Sequence, residues 1–462
     1  MNADLPEFLT AWDSCRARAS AGLADNVMEQ ARRNWFDTLA ATAGGVSESC
    51  TQAAWRACNS GERQALRPED VALILGTASH ALDYDDVCML ATCHPSAPPV
   101  AALLAMLPVL VKQRPGLQWA DVIEAYLLGT ETTLRLGQWL GFRHYALGFH
   151  ATDTLGVVGA CAALAHAMNF PPAKAHAALS IAASSAGGLR ANFGTDTKPL
   201  HVGFAASSAI RAALLAQAGA TASNDVWGHA GYFHAFNGGA PSAPLAWRPG
   251  TGWAVETPGF EHKRFPSCYL THRLIAGVLQ LRMRRSEADR AQAVRIEIEV
   301  PKNGLSALKH PRPATGLQAK FSGHYCAAAA WIDGTAELAS FEDRAVHRTD
   351  VQTQMTRTTL MERTQAGESL ETAPVTVTVR AEGWIDSLVV DWAPGSPADP
   401  MTRDQLRLKW SDCARYGGIR ADDAHMLRIL DAPLQTPASD LLEPICATLM
   451  TAIQNSNKTE MV

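Results

Sequence analysis

Four stretches of this chain concentrate side chains able to move protons or hold an anion or a metal. The densest, HALDYDDVCMLATCHPS, sets His80, Asp83, Asp85, Asp86 and His94 within fifteen positions between two apolar runs. Carboxylates and imidazoles this close together between buried elements are costly unless paired or used. His80 and Asp83 fall on one helix face and are metal-ligand types. The same residues also suit a capped helix junction, with Pro95 opening the next helix.

The second stretch, RHYALGFHATDTLG, holds His144, Tyr145, His150, Thr152 and Asp153 ahead of an Ala-rich run. A histidine there meets a helix N-terminus, where backbone N–H groups favour an anion, or is a satisfied core residue in a capping segment. The third, AGGLRANFGTDTKPLHVG, places Arg190, Lys198 and His201 in a Gly-punctuated loop between two apolar helices. Cations in such a loop point into a cavity able to take a carboxylate or phosphate, or lie in a solvated turn. The fourth, HKRFPSCYLTH, carries Lys263, Arg264, Cys268 and His272; Cys268 is a thiolate candidate beside cations or an inert packing group. No P-loop, dinucleotide fingerprint or GxSxG elbow is present.

The elements that must position these groups are mostly helices. Apolar spacing of three and four predicts helices over 26–45, 69–82, 96–113, 120–140, 153–168 and 171–186, then a long one to about 222. After about 273 the pattern changes: AVRIEIEV and VTVTVR alternate with period two, and VTVTVR joins WIDSLVVDW through AEG as a hairpin. The Pro/Gly cluster WAPGSPADP closes this region and helical patterning returns. The expected fold class is therefore mainly α. A helical domain spans 1–270, a smaller α+β lid domain spans 271–396, and C-terminal helices over 397–462 rejoin the first.

At 462 residues, with 47% apolar and 18% charged side chains, the chain exceeds one compact core. A net charge of -5 gives no support for nucleic acid as a partner. The apolar run 100–111 is too short to span a bilayer, and MNADLPEFLT lacks the pattern of an export signal. Ten cysteines without a CxxC pair or zinc spacing fit reduced thiols in a cytoplasmic protein.

Together the stretches resemble the MmgE/PrpD family. HALDYDDV with HPSAPPVAALL is similar to its H-x-x-D-[FY]-[DN]-D segment and HPS helix start, and GFHATDTLGVVGA to its GxHxTxTxG element. AGGLRANFGTDTKPLHVGFAA resembles its K-P-L-H-x-G loop, and KRFPSCYLTH its K-x-[FY]-P segment. FSGHYCAAAAWIDG and GSPADPMTRDQLRLKW resemble its two later motifs. The resemblance implies a homodimer with its site between a helical and an α+β lid domain, acting without a redox cofactor on small di- or tricarboxylates, and no cofactor or metal is expected. The pocket residues it implies are Asp83, His94, His150, Lys198, Lys263 and Tyr325.

The chemistry so implied moves a proton on carbon next to a carboxylate, so cations and donors must be aimed at that carboxylate. Lys198, Lys263, Arg190 and His94 are the supply, with His80 in the same cluster. His150 or Lys198 is expected as the base, with Tyr145 or the other of that pair returning the proton and Asp83 orienting a histidine. Where the decarboxylases of the family carry Thr and His, this chain has Val87 and Cys268. Tyr145 supplies a donor for a second face, and the reaction expected first is epimerisation of iminodisuccinate. The alternatives are dehydration of a 2-methylcitrate-like hydroxy acid, a cis-aconitate decarboxylase-like lyase, a metal-dependent lyase using His80, Asp83 and His94, and a catalytically silent small-acid binding protein.

Overall fold

A computed structural model describes residues 5–60, 65–228, 230–240, 247, 252–364, 370, 373–420, 422 and 424–457, and the backbone of 458–460. Residues 1–4 of the N-terminal stretch read for an export signal lie outside them. The fold is mainly α, with one small sheet. Its larger hydrophobic core is built from helices contributed by both ends of the chain, from Phe8 to Ile453. The C-terminal helix Arg403–Tyr416 packs on Asp25–Gly44, and Ala438–Glu460 packs on Ala97–Gln113.

Two helices of this core set the site. Pro68–Ala81 and Thr197–Gln217 meet at a pair of glycines, where a Cβ on Gly76 would lie 2.9 Å from Cα of Gly203. Only glycines admit that approach. Counting one turn on from Gly76 reaches His80, and counting back from Gly203 reaches Lys198, so the crossing brings these two together. Thr197–Gln217 is also long and apolar enough to cross a membrane, but 67% of its most apolar window is buried, as in a core helix.

The second core, running from Phe265 to Val390, surrounds the sheet. Strands β1 (Arg295–Val300), β2 (Thr358–Glu362), β3 (Val375–Ala381) and β4 (Trp384–Val390) lie in the order β2-β1-β3-β4. β1 is parallel to β2 and antiparallel to β3, and β3 pairs antiparallel with β4. Ile296, Ile298, Val375, Val377 and Val379 turn inward under the helices His272–Met283 and Gly323–Asp333.

Local departures from the sequence reading have local causes. β2 falls where only helical pieces are expected, because this edge strand, TTLME, keeps one buried residue, Thr358, and shows no apolar alternation. The helix expected over 120–140 runs on as Trp119–Ala146, kinked at Gly141 with φ 63°, and the added turn carries His144 and Tyr145. The one expected over 153–168 is split into Ala151–Thr154 and Gly156–Ala167. The long helix ends at Gln217 rather than near 222.

Candidate active site

Asp83 is the hub. It follows the C-terminal end of Pro68–Ala81 with φ 52°, a left-handed conformation that Asp tolerates better than most side chains. Such a conformation persists where the surroundings over-determine it. Here three consecutive carbonyls each accept from a different buried lysine. Lys320 Nζ donates to Leu82 O (2.6 Å), Lys263 Nζ to Asp83 O (2.7 Å) and Lys409 Nζ to Tyr84 O (2.6 Å). Lys409 also donates to Asp37 Oδ1 (2.7 Å) and Lys263 O (3.0 Å), tying the C-terminal helix beneath both site loops. Burial pushes the Asp37 carboxyl up to about 6, and the Lys409 ammonium opposes this.

The Asp83 side chain is ion-paired twice. Lys198 Nζ donates to Oδ1 at 2.7 Å, and Lys263 Nζ lies 3.1 Å from the same oxygen. Burial would raise this carboxyl, but the two ammonium groups hold it well below the usual carboxylate range. Lys198 Nζ also lies 2.7 Å from His80 Nε2, while His80 Nδ1 sits 2.9 and 3.0 Å from the oxygens of Asp85. An ammonium can only donate and an ionised carboxylate only accept, so His80 carries its hydrogen on Nδ1. Burial, assisted by the Lys198 charge, lowers His80 to about 3, so the ring is neutral.

Asp85 serves a second imidazole. His94 Nδ1 lies 3.2 Å from its Oδ2, near enough to feel the charge but not aligned for a hydrogen bond. His94 Nε2 is 3.5 Å from Asp83 Oδ1, and its backbone N–H donates to Thr152 Oγ1 (3.1 Å). The histidine-orienting role expected of Asp83 therefore belongs to Asp85, because two lysines occupy Asp83. Asp86 faces away, taking the Ser96 hydroxyl and backbone N–H at the start of the next helix.

His150 stands at the start of Ala151–Thr154, its N–H donating to Gly188 O (3.0 Å). Gly188 has φ 86°, and a Cβ there would fall 2.7 Å from Asp153 Oδ2, so the loop requires glycine. Burial and the neighbouring Lys198 charge hold His150 well below its ordinary value, leaving a neutral imidazole. His150 Nδ1 lies 3.0 Å from His201 Nδ1.

Several of these groups line one cleft. Asp83, His94, His150, Thr152, Lys198 and Lys263 are part of its polar lining. Tyr145, Phe193, Cys268, Leu270, Ala307 and Phe321 are among its other walls, and Val87 and Ser306 also line it. The arrangement offers a fixed cation pair beside neutral imidazoles in a mostly apolar enclosure, which suits stabilising charge that develops on a carboxylate.

Three expected site residues lie elsewhere. Arg190 donates to Tyr145 O (2.7 Å) and Ser306 O (3.0 Å), with its guanidinium 3.6 Å from the Tyr145 ring centre. It fixes two walls instead of facing a substrate. Tyr325 is buried in the second core, where its hydroxyl donates to Ser340 O. His80 stands behind Lys198 and does not line the cleft. Tyr145 does line it, and burial raises its hydroxyl, which therefore keeps its proton. His80, Asp83, Asp85 and His94 offer ligand atoms within 4.8 Å of one another, a set able in type to hold a metal ion. The ammonium groups of Lys198 and Lys263 already engage Asp83 Oδ1, and Lys198 also engages His80 Nε2, so this cluster opposes a divalent cation.

Residues 17–244 match the MmgE/PrpD N-terminal domain, and residues 265–436 the MmgE/PrpD C-terminal domain. The chain belongs to the MmgE/PrpD family. Within this family, cis-aconitate decarboxylase of Homo sapiens is 29% identical over 357 residues, covering 71% of each chain. The Mus musculus cis-aconitate decarboxylase is 27% identical over 359 residues, 75% of this chain and 71% of the relative. The Aspergillus terreus (strain NIH 2624 / FGSC A1156) cis-aconitate decarboxylase is 25% identical over 352 residues, 70% of this chain and 71% of the relative. These relatives are lyases by name, so the family comparison backs the lyase alternative over the epimerase expected first.

Proposed function

We propose that this MmgE/PrpD chain is a lyase that decarboxylates cis-aconitate or a close analogue, using acid-base side chains alone. The observation that carries the reading is the placement of Lys198 and Lys263 on one oxygen of Asp83, in the same cleft lining as neutral His150. Loss of carbon dioxide leaves an electron pair that spreads onto the remaining unsaturated carboxylate. Ammonium groups fixed beforehand stabilise that charge without reorganising, and a proton delivered by His150 quenches the carbon. One proton is taken up for each carbon dioxide released. The names and coverage of the relatives support the same reading.

Val87 and Cys268 favour a second reading. Both line the cleft where the decarboxylase pattern has Thr and His, so this wall has lost two polar groups. A site with fewer donors could move a proton next to a carboxylate without releasing carbon dioxide, as in epimerisation of iminodisuccinate or dehydration of a methylcitrate-like acid. Proton NMR in deuterium oxide with purified protein, offering each acid separately, distinguishes the readings. Itaconate from cis-aconitate, carrying deuterium, supports the decarboxylase. Deuterium entering iminodisuccinate with interconversion of its stereoisomers, or an alkene signal from methylcitrate, replaces it.

A further inference from the structure

His201 touches the site only through His150, and it does not line the cleft. It lies near the start of Thr197–Gln217, three residues after Lys198, and is 4% exposed. Its Nδ1 is 3.0 Å from Nδ1 of His150. Two ring nitrogens at that distance hold one hydrogen between them, so the tautomer of one ring dictates that of the other.

The surroundings make this coupling consequential. The His80 ring is stacked on that of His150 with ring centres 5.7 Å apart, and Phe193 meets it in a T-shaped contact with ring centres 5.0 Å apart. Lys198 carries its charge from the same helix turn as His201. Among the described residues no carboxylate accepts a hydrogen bond from either ring of the pair. An imidazolium on His150 would be buried beside an ammonium, and an imidazolate is costlier still. Acting alone, His150 must pass through one of those charged forms whenever it takes or gives a proton.

We propose that His201 is the proton partner of His150, fixing which ring nitrogen of His150 bears hydrogen and exchanging that hydrogen during turnover. When His150 Nε2 gives its proton to a substrate carbon, the N–H bond on His201 Nδ1 breaks and one forms on His150 Nδ1. A proton from water then bonds to His201 Nε2. Each step breaks one bond to hydrogen and forms another, and both rings end neutral. Taking a proton from carbon runs the same three transfers backwards. The pair resets when water in the cleft reprotonates His150 Nε2 and the chain reverses.

His201 acts through His150 and is a positioning residue, and the inference rests on the cleft being the catalytic site. The test uses full-length protein carrying ¹⁵N-histidine, as wild type and as His201→Gln, with His201→Ala as a second variant. The expected result is a single His150 tautomer in the wild type and a mixture of the two in His201→Gln. For cis-aconitate turnover, kcat falls on the order of 10²-fold while KM stays within about threefold, and added imidazole restores kcat in His201→Ala. An unchanged His150 tautomer overturns the proposal. So does an unchanged kcat, or a loss of kcat that follows melting temperature and is not rescued. If the wild type turns over none of the acids offered, the decarboxylase reading fails, and the tautomer spectra still decide the role of His201.

Discussion

Lys198 Nζ lies 2.7 Å from Nε2 of His80, and the imidazole can only be the acceptor in that contact. The hydrogen of His80 is thereby sent to Nδ1 and on to Asp85, giving a directed chain from carboxylate through imidazole to ammonium. Asp85→Asn keeps an acceptor for His80 but removes the charge that both His80 and His94 face. The expected result is a fall in kcat on the order of 10²-fold with KM little changed, and a stability loss of about 1–3 kcal/mol. Steady-state kinetics and urea unfolding measure the two. A variant within twofold of wild type in kcat would show that the chain does not bear on turnover.

The glycine crossing places Lys198 on His80, so it can be tested without touching a charged group. A Cβ on Gly203 would come within 2.4 Å of Leu73 O and 2.6 Å of Thr77 Oγ1. Backbone cannot yield as a flexible side chain does, so Gly203→Ala must part the helices. A destabilisation of about 1–3 kcal/mol is expected from the overpacking, with a drop in kcat because Lys198 is drawn away from His80. Gly116→Ala, where a Cβ meets nothing within 4 Å, is the control. Equal behaviour of the two variants in thermal melts and in turnover would refute the assignment.

Much of this site is legible in the sequence because its residues cluster. The stretch 80–94 and the Lys198 loop announce themselves as charge between apolar helices, and the 3.6-residue period fixes those helices to within a few positions. The partners of the Leu82–Tyr84 turn are not legible, because its three lysines are separated from it by 238, 180 and 325 residues. One local signal was available for Lys409, which shares the apolar face of its helix with Leu406, Trp410 and Cys413. A lysine at that spacing is either a snorkelling chain or a buried cation with a distant partner. Arg190 is expected in the pocket from residue type and loop position, which do not show where a long side chain points, and Tyr325 from a motif resemblance, which does not show which core its ring enters. β2 escaped notice because an edge strand with one buried residue lacks the alternation that marks β1 and β3.

Lys409 and Asp37 are both fully buried and meet at 2.7 Å. Removing one member of a buried pair leaves the other uncompensated, so Lys409→Met is expected to cost about 3–5 kcal/mol. Removing both charges restores much of that, because an apolar pair of similar volume loses little. The Lys409→Met, Asp37→Leu cycle, read by urea unfolding at pH 8, should give a double variant more stable than the sum of the single losses. Lys409 also holds Tyr84 O and Lys263 O, so the double variant should keep its fold yet lose activity. Simple additivity of the two stability losses would mean that the pair does not act as a unit.

Asp153 supplies a prediction in pH. It is buried at the foot of the His150 turn, where the Gly188 loop closes over it, and burial alone pushes its carboxyl up to about 8. In the unfolded chain the same group titrates near the ordinary carboxylate value of about 3.9. Between those values the folded state holds a proton that the unfolded state has released, so stability falls as pH rises through the window. The slope is about 1.4 kcal/mol per pH unit for one group. Asp153→Asn removes this contribution and leaves the other buried groups in place. The difference in unfolding free energy between variant and wild type should therefore grow in favour of the variant from pH 5 to pH 8 and level off above. Urea titrations at unit pH steps read that difference directly. A difference that stays constant across the range would mean that the carboxylate is already charged in the folded protein and that the loop over it admits water.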